Sequence, residues 1–248
     1  MRTSNPVLRD DTFTDFGYVR NADSMTMQGV VTKTALLLLA ALLSASWTWH
    51  KFFTSGGDAT AVSSWILIGA VGAFIAAIVT AFKPVWSPIT APLYAVLEGL
   101  FMGGFSAVME QSYPGIVVQA VILTFGTLFA MLAVYRAGWI RMTENLKLGI
   151  MAATGGIAIA YLITWVLSFF GMQIPLIYGN GWISIGFSLF VVAIAALNLV
   201  LDFDFIEQGS RRAAPKYMEW YAGFALMVTL VWLYLEILRL LSKLRSRD

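Results

Sequence analysis

Seven runs of about 20 predominantly apolar residues follow one another along the chain, and they constrain the fold more than any other feature. About 20 apolar residues in a helix are needed to cross a hydrocarbon core roughly 30 Å thick. The connections between the runs are short, which favours one compact bundle. The sequence therefore predicts an all-α, polytopic membrane protein with seven transmembrane helices, at residues 30–49, 62–82, 89–108, 116–135, 148–170, 182–203 and 217–241.

The composition excludes several classes of protein. Hydrophobic residues make up 59% of the chain and charged residues 12%, too few charges for the surface of a soluble domain. The chain has no cysteine and one histidine, His50, which excludes disulfides and thiolate chemistry and leaves few zinc ligands. No phosphate-binding loop and no serine or cysteine nucleophile with a histidine base is present. We therefore predict no enzyme activity, no cofactor and no nucleic-acid partner.

The first 28 residues differ from the rest of the chain because they are polar and carry charges of both signs. They contain no apolar segment followed by small residues, so they are not a secretory signal. We predict a loosely attached cytoplasmic tail at 1–28 and a transmembrane domain at 29–244. Ser24 and Thr26 are candidate caps for the first helix.

The orientation follows from the positions of Lys and Arg in short loops. With the amino terminus in the cytoplasm, eleven basic residues lie on the cytoplasmic side and Lys51 alone lies in the opposite loops. The basic carboxyl tail would then lie outside after a seventh crossing, or the last helix dips in and returns. The length of the last run favours a crossing. The eleven residues are Arg2, Arg9, Arg20, Lys33, Lys83, Arg136, Arg141, Lys147, Arg211, Arg212 and Lys216.

Small residues occur in three of the runs at positions where helices could pack closely. Glycine allows two helix backbones to approach each other in lipid. These residues are Gly69 and Gly72, then Gly99, Gly103 and Gly104, and finally Gly155 and Gly156.

Polar side chains at membrane depth are concentrated in the last two runs. An acid inside the bilayer costs several kcal/mol, so each one requires an explanation. One interpretation makes Asn198 a helix-packing hydrogen bond and places Asp204 and Arg239 at helix ends. In the other interpretation, Asn198 and Asp204 are candidates for a pore or relay. Asp202 and Glu236 are the stronger functional candidates because they interrupt long apolar runs.

Glu98 lies about ten residues into the third run, near the bilayer midplane. It is either a buried packing group or part of a cation or proton relay. If the last helix runs through the bundle centre, Glu98, Asp202 and Glu236 converge. Carboxylates in a low dielectric cannot all stay ionised, so such a cluster shares a proton at lower pH. When it is deprotonated it attracts a hard cation such as calcium.

Five short segments together resemble one known family, the Bax inhibitor (transmembrane Bax-inhibitor-motif) family, and in particular its bacterial branch. The resemblance covers residues 25–244. It implies seven helices with the last one central. It also implies a pH-sensitive calcium leak attributed to two aspartates, one ending the sixth helix and one within the seventh. The segments are Met25 to Gly29, Glu98 to Gly103, Gly186 to Phe190, Leu201 to Ile206 and Leu233 to Leu238.

The resemblance assigns Asp202 to the first aspartate, because Ile206 follows four residues later, and Glu236 to the second, because it follows Leu-Tyr-Leu. The chain departs from the family by having Glu for Asp and a longer spacing. With a tight hairpin directly after Asp202, Glu236 would lie on the order of 20 Å further along the returning helix than the level of Asp202. The two acids then meet only if the sixth helix tilts or the loop folds in. We expect them to be coupled directly, through water or through Asn198.

The resulting functional hypothesis is a pH-modulated passive cation (calcium) leak in a bacterial inner membrane. Asp202 and Glu236 would form the pH sensor and gate, and Glu98, Asn198 and Asp204 are pore or relay candidates. No resident metal site is assigned, and calcium would pass near the two gate acids. The first alternative is a non-transporting regulator that binds other membrane proteins, such as a membrane protease, through residues 1–28. The second and least favoured alternative is an intramembrane enzyme in which two acids activate water. Lipid is the expected surrounding in all three cases.

Overall fold

The computed structural model describes residues 24–172, 174, 177, 179 and 181–246. Within them it has seven α-helices, each long and apolar enough to cross a membrane, so the predicted fold class is confirmed. A short 3-10 turn, Pro84–Trp86, precedes the third helix. The helices are α1 Met27–Thr54, α2 Thr60–Phe82, α3 Ser87–Ser112, α4 Ile116–Arg136, α5 Glu144–Ser168, α6 Trp182–Arg211 and α7 Met218–Arg245.

Most helices extend beyond the apolar runs that predicted them. The apolar run marks the part of a helix inside the hydrocarbon core, whereas the helix itself continues through the headgroup region. The largest effect is in α6, which we predicted to end at Phe203 and which continues to Arg211. The turn between α6 and α7 is therefore at residues 212–217, well past Asp202. In addition, α7 is one continuous helix of 28 residues, so it crosses the membrane and does not return.

Helix α7 is the central helix of the bundle, as predicted. It packs against α1, α3, α4 and α6. In the most apolar 18-residue stretch of α7, 56% of the residues are buried inside the protein. The corresponding share is 17% in each of α1, α4 and α5. More than half of this stretch of α7 therefore faces other helices rather than lipid.

Helices α1, α2 and α3 pack closely through glycine, which confirms part of the small-residue prediction. A Cβ at Gly99 or Gly103 would overlap the α1 backbone at Ala41 or Ala45. A Cβ at Gly69 of α2 would lie 2.6 Å from the backbone nitrogen of Phe101. The prediction is wrong for Gly155 and Gly156, where an added Cβ would meet no other atom of the described residues within 4 Å.

The start of α1 is fixed to the start of α7. Thr26 caps α1, as predicted, by accepting a hydrogen bond from the Gly29 amide at 2.9 Å. The buried Glu219 carboxylate accepts hydrogen bonds from the Thr26 amide at 3.0 Å and the Thr26 hydroxyl at 2.9 Å. A Cβ at Gly29 would overlap this carboxylate, which explains the glycine. The remainder of the predicted tail, residues 1–23, lies outside the described residues.

At the opposite end of the bundle, acidic side chains accept hydrogen bonds at the starts of α2 and α4. Glu110 accepts hydrogen bonds from the Gly115 and Val117 amides at 2.5 and 3.1 Å and so stabilises the start of α4. In the loop before α2, hydrogen bonds from the Thr60 hydroxyl and amide hold the pKa of the Asp58 carboxyl below its ordinary value. These two acids have local structural roles.

Candidate functional site

Asp202 lies on the face of α6 that packs against α7, and its carboxyl is incompletely paired. One oxygen, Oδ2, is buried and has no hydrogen-bond partner among the described residues. The carboxyl interacts with the hydroxyl of Thr229 on α7. That hydroxyl donates its single proton to the Ala225 carbonyl at 3.2 Å. Buried polar groups in proteins are almost always paired, so this oxygen requires an explanation.

Glu98 lies at about the same depth on the other side of α7. Its side chain is 9% exposed, and no hydrogen bond or ion pair to it is found in the described part of the chain. Two contacts fix the register of α3 on α7: the rings of Tyr94 and Phe224 are 4.9 Å apart, and the hydroxyls of Ser106 and Tyr234 are 2.8 Å apart. Between these contacts Glu98 is level with Met227, and so within one turn of Thr229.

Glu236 is fully paired, in contrast to Asp202. Its carboxylate accepts hydrogen bonds from the Tyr161 hydroxyl of α5 at 2.9 and 3.0 Å. Arg239, one turn further along α7, donates to both carboxylate oxygens at 3.0 and 3.1 Å. The indole of Trp232 adds a longer hydrogen bond of 3.3 Å. The side chain of Glu236 is 2% exposed and that of Arg239 is 39% exposed, so the acid of this ion pair is buried and the base is partly exposed.

The structure does not bring Asp202 and Glu236 into hydrogen-bonding contact. Asp202 interacts with Thr229, which precedes Glu236 by seven residues. At 1.5 Å per residue the two acids are separated by about 10 Å along α7. This is half the offset estimated from a tight hairpin, because α6 continues past Asp202 before the chain turns.

A buried lysine, Lys243, lies one turn beyond Arg239. Its ammonium group donates hydrogen bonds to the hydroxyls of Ser184 and Ser188 on α6 at 2.7 and 2.8 Å. Its side chain is 5% exposed, and no carboxylate within 4 Å pairs with it in the described residues. Glu236, Arg239 and Lys243 thus form a polar stripe on α7 with one more positive than negative charge.

The short distance from Lys243 to Ser184 is also the spacing of a serine nucleophile and its lysine base. Both serine side chains are at most 2% exposed. A cavity of about 1270 Å³ lies at the other end of the bundle. Neither serine lines that cavity. The serines instead act as hydrogen-bond acceptors for a buried ammonium group.

Asn198 and Asp204 each connect α6 to α5. The Asn198 amide donates hydrogen bonds to the Thr154 hydroxyl at 2.8 Å and to the Ile194 carbonyl at 2.9 Å. Asp204 forms an ion pair of 2.8 Å with Lys147 and lies seven residues before the end of α6. These contacts agree with the packing interpretation of Asn198, whereas Asp204 is not at a helix end.

Three parts of this site were missed by sequence reasoning. Lys243 falls in the basic carboxyl tail of the sequence prediction, because the last apolar run ends at residue 241. Tyr161 and Ser184 could not be recognised as site residues, because a tyrosine or a serine is common in an apolar run. The spacing of Glu236, Arg239 and Lys243 at i, i+3 and i+7 places them on one helix face, and it could have indicated the stripe.

No group of three or more His, Asp or Glu side chains in the described ranges could hold a metal ion. Asp202 and Glu98 supply single carboxyls at one depth of α7, and the positive groups Arg239 and Lys243 lie beyond Glu236. Along α7 the two acids thus lie nearer its start, and the positive groups lie toward its carboxyl-terminal end.

Comparison with known proteins gives a family match over nearly the whole chain. A family model described as "Bax inhibitor 1 like" matches residues 5–246. Searches of curated proteins and of solved structures both found no match.

Proposed function

Because the chain belongs to the Bax inhibitor 1-like family, we propose that it is a pH-modulated passive cation leak with calcium as the permeant ion. The observation that carries this proposal is the buried Oδ2 of Asp202, which has no partner among the described residues. A neutral carboxyl tolerates such a site, whereas an ionised one must be paired or hydrated. Loss of the proton therefore favours entry of water or of a cation that prefers oxygen ligands.

Asp202 and Glu236 have different parts in this proposal. Asp202 is the pH-responsive group, because its carboxyl has no ion pair among the residues that the structure describes. Glu236 is part of the gate: its pairing with Tyr161 and Arg239 ties α5 to α7. In the closed arrangement Arg239 and Lys243 lie nearer the carboxyl-terminal end of α7 than the acids do. Their two positive charges repel a divalent cation there. Opening requires this polar stripe to move away from the path.

Glu98 serves as a second acid on the same route. It lies level with the Asp202–Thr229 contact and, like Asp202, has no ion pair in the described part of the chain. Two carboxyls on opposite sides of α7 would supply oxygen ligands at one depth. Asn198 and Asp204 hold α5 against α6 in this scheme.

The orientation belongs to the proposal as well. We place the amino terminus in the cytoplasm of a bacterial cell and the carboxyl terminus outside, with the protein in the inner membrane. The excess of Lys and Arg at the end of the bundle that holds residues 83–86, 137–143 and 212–217 supports this orientation.

The test is a calcium-flux assay with purified protein in liposomes that contain a calcium indicator. Wild-type protein should admit calcium faster than empty liposomes, and flux should rise between pH 6 and pH 8. Asp202→Asn should remove that rise. Asp204→Asn is the matched control, since its ion pair with Lys147 lies outside the route, and it should keep the wild-type pH profile. Flux equal to that of empty liposomes in folded wild-type protein contradicts the proposal.

A second candidate function is a regulator that binds another membrane protein. The contact between Glu219 and Thr26 favours it, because it fixes the segment leading to residues 1–23 beside the α6–α7 turn. A partner could then bind both parts of the surface together. Absence of flux, with a partner lost on Glu219→Gln substitution, would support this function.

A further inference from the structure

A groove opens between α1, α4 and α6 at the end of the bundle where α1 begins. Its volume is about 1270 Å³, above the usual range for small-molecule pockets. It is lined by residues of α1, α4 and α6, by the loop after α4, and by Leu226 at its base on α7. The gate residues Asp202 and Glu236 do not line it, so it is distinct from the site proposed above.

The walls of this groove are apolar and one leaflet deep. On α1 they run from Met27 to Leu38, and on α4 from Leu128 to Arg136. At 1.5 Å per residue these stretches cover about 16 and 12 Å. Half of a hydrocarbon core roughly 30 Å thick is about 15 Å. The side chains of Val31 and Phe129 are 67% and 63% exposed, so apolar wall surface is left uncovered.

The outer end of the groove carries excess positive charge. Arg136, Arg141 and Arg211 line it together with Asp204 and Glu207. Both acids are already paired, Asp204 with Lys147 at 2.8 Å and Glu207 with Arg211 at 2.5 Å. Arg136 and Arg141 are exposed and have no ion pair or side-chain hydrogen bond in the part of the chain that the structure describes. Two guanidinium groups are thus free to bind an anion.

A tryptophan places these arginines at the level of the lipid headgroups. Trp139 lies between them in the α4–α5 loop and is 82% exposed. An exposed tryptophan at a helix end is typical of the membrane interface. Phosphate groups of the surrounding lipid are found at the same level.

We infer that this groove is a binding site for an anionic phospholipid. The lipid phosphate lies between Arg136 and Arg141, and an acyl chain lies along the apolar walls formed by α1 and α4. The match between charged end, interfacial tryptophan and one-leaflet depth selects a lipid over a soluble phosphate compound. Basic pockets between transmembrane helices bind anionic headgroups for the same electrostatic reason.

Native mass spectrometry of the full-length protein with added phosphatidylglycerol tests this inference. Phosphatidylglycerol should bind at one molecule per chain and survive conditions that remove phosphatidylcholine. Arg136→Gln combined with Arg141→Gln should weaken its binding by about 10- to 30-fold, because each basic residue near a membrane surface contributes a several-fold factor. Arg212→Gln removes an exposed arginine at the same end that does not line the groove, and it should leave binding unchanged.

A second measurement identifies the occupant directly. A photoreactive p-benzoylphenylalanine in place of the exposed Ala35, on the α1 wall, should give an adduct with the mass of an anionic phospholipid. An adduct with residues 1–23 or with another protein would overturn the inference. Equal binding of phosphatidylglycerol and phosphatidylcholine, or an unchanged affinity in the double arginine variant, would overturn it as well. Inorganic phosphate should not compete at millimolar concentration, and competition by it would contradict the lipid assignment.

Discussion

Asp202 on α6 and Glu236 on α7 are the acids of the last two transmembrane helices, and their surroundings are opposite. Glu236 accepts hydrogen bonds from Tyr161, Arg239 and Trp232. Asp202 interacts with the Thr229 hydroxyl and has one buried oxygen without a partner in the described residues. The contrast shows that matching a family's pair of acids in the last two helices does not give Asp202 and Glu236 the same role. Glu236 is built into an ion pair, whereas Asp202 keeps an oxygen without a partner in the described residues, as the proposed pH response requires.

The largest effect is expected for loss of the Glu236 charge. Glu236→Gln leaves Arg239 beside Lys243 without a counterion. Removing one partner of a buried pair costs 3–5 kcal/mol, and because the Arg239 side chain is 39% exposed we expect about 2–3 kcal/mol here. Thermal unfolding in detergent, followed by tryptophan fluorescence, measures the loss. Glu144→Gln is the matched control: that side chain is 85% exposed, and its substitution should change stability by less than about 0.5 kcal/mol.

A double variant sharpens the same comparison. If Glu236 and Arg239 act as a unit, the loss in Glu236→Gln/Arg239→Gln should be clearly smaller than the sum of the two single losses. Additive losses would mean that the pair contributes nothing as a pair.

The fold could be predicted in large part from the sequence because lipid imposes a simple length rule. Seven apolar runs gave seven helices, and the family resemblance gave the central position of α7. The helix ends could not be predicted in the same way, since the interfacial turns of α6 beyond Phe203 are polar and carry no hydrophobic signal. That error mattered, because the extra turns of α6 determine that Asp202 meets Thr229 and not Glu236.

Lys243 offers the next largest effect, this time on transport. Lys243→Met removes a buried positive charge while keeping much of the side-chain volume. If the positive groups beyond Glu236 oppose cations, calcium flux in liposomes should rise several-fold at constant pH. Ser184→Ala removes a hydrogen-bond acceptor and keeps the charge, so it should leave flux near the wild-type rate. A flux that falls or stays constant in Lys243→Met would contradict an electrostatic barrier at this position.

The ion pair between Lys147 and Asp204 should have a smaller effect. Both side chains are about one-fifth exposed, so the pair lies between a surface and a buried one. We expect Lys147→Gln to destabilise the protein by about 1 kcal/mol, measured by thermal unfolding. Asp204→Asn should give a similar loss, and the double variant should add little. A loss above about 3 kcal/mol would show that this contact is more deeply buried in the membrane-embedded protein.

Asp202→Asn should have the smallest effect on stability. The amide keeps the shape of the carboxyl and can still interact with Thr229, and no ion pair is lost in the described part of the chain. We expect a change within about 1 kcal/mol in the same unfolding experiment. A loss as large as that of Glu236→Gln would mean that Asp202 has a strong partner and is a structural group.

The candidate site was only partly predictable, for reasons that these residues make clear. An acid inside an apolar run is conspicuous, so Asp202, Glu236 and Glu98 could be selected from sequence. Their partners on other helices are a tyrosine for Glu236 and a threonine for Asp202, and nothing in the sequence states which such side chains lie beside these acids. The pairing of Glu236 and the incomplete pairing of Asp202 depend on helix register, which a single sequence does not encode in any local pattern.

The pH profile of calcium flux in the two neutralised variants tests the central claim most directly. Wild-type protein, Asp202→Asn and Glu236→Gln are reconstituted in the same liposomes and measured from pH 6 to pH 8. We predict that Asp202→Asn gives a flux independent of pH, whereas Glu236→Gln keeps the rise with pH at a changed overall rate. A rise that persists in Asp202→Asn and disappears in Glu236→Gln would contradict the assignment of Asp202 as the pH-responsive group.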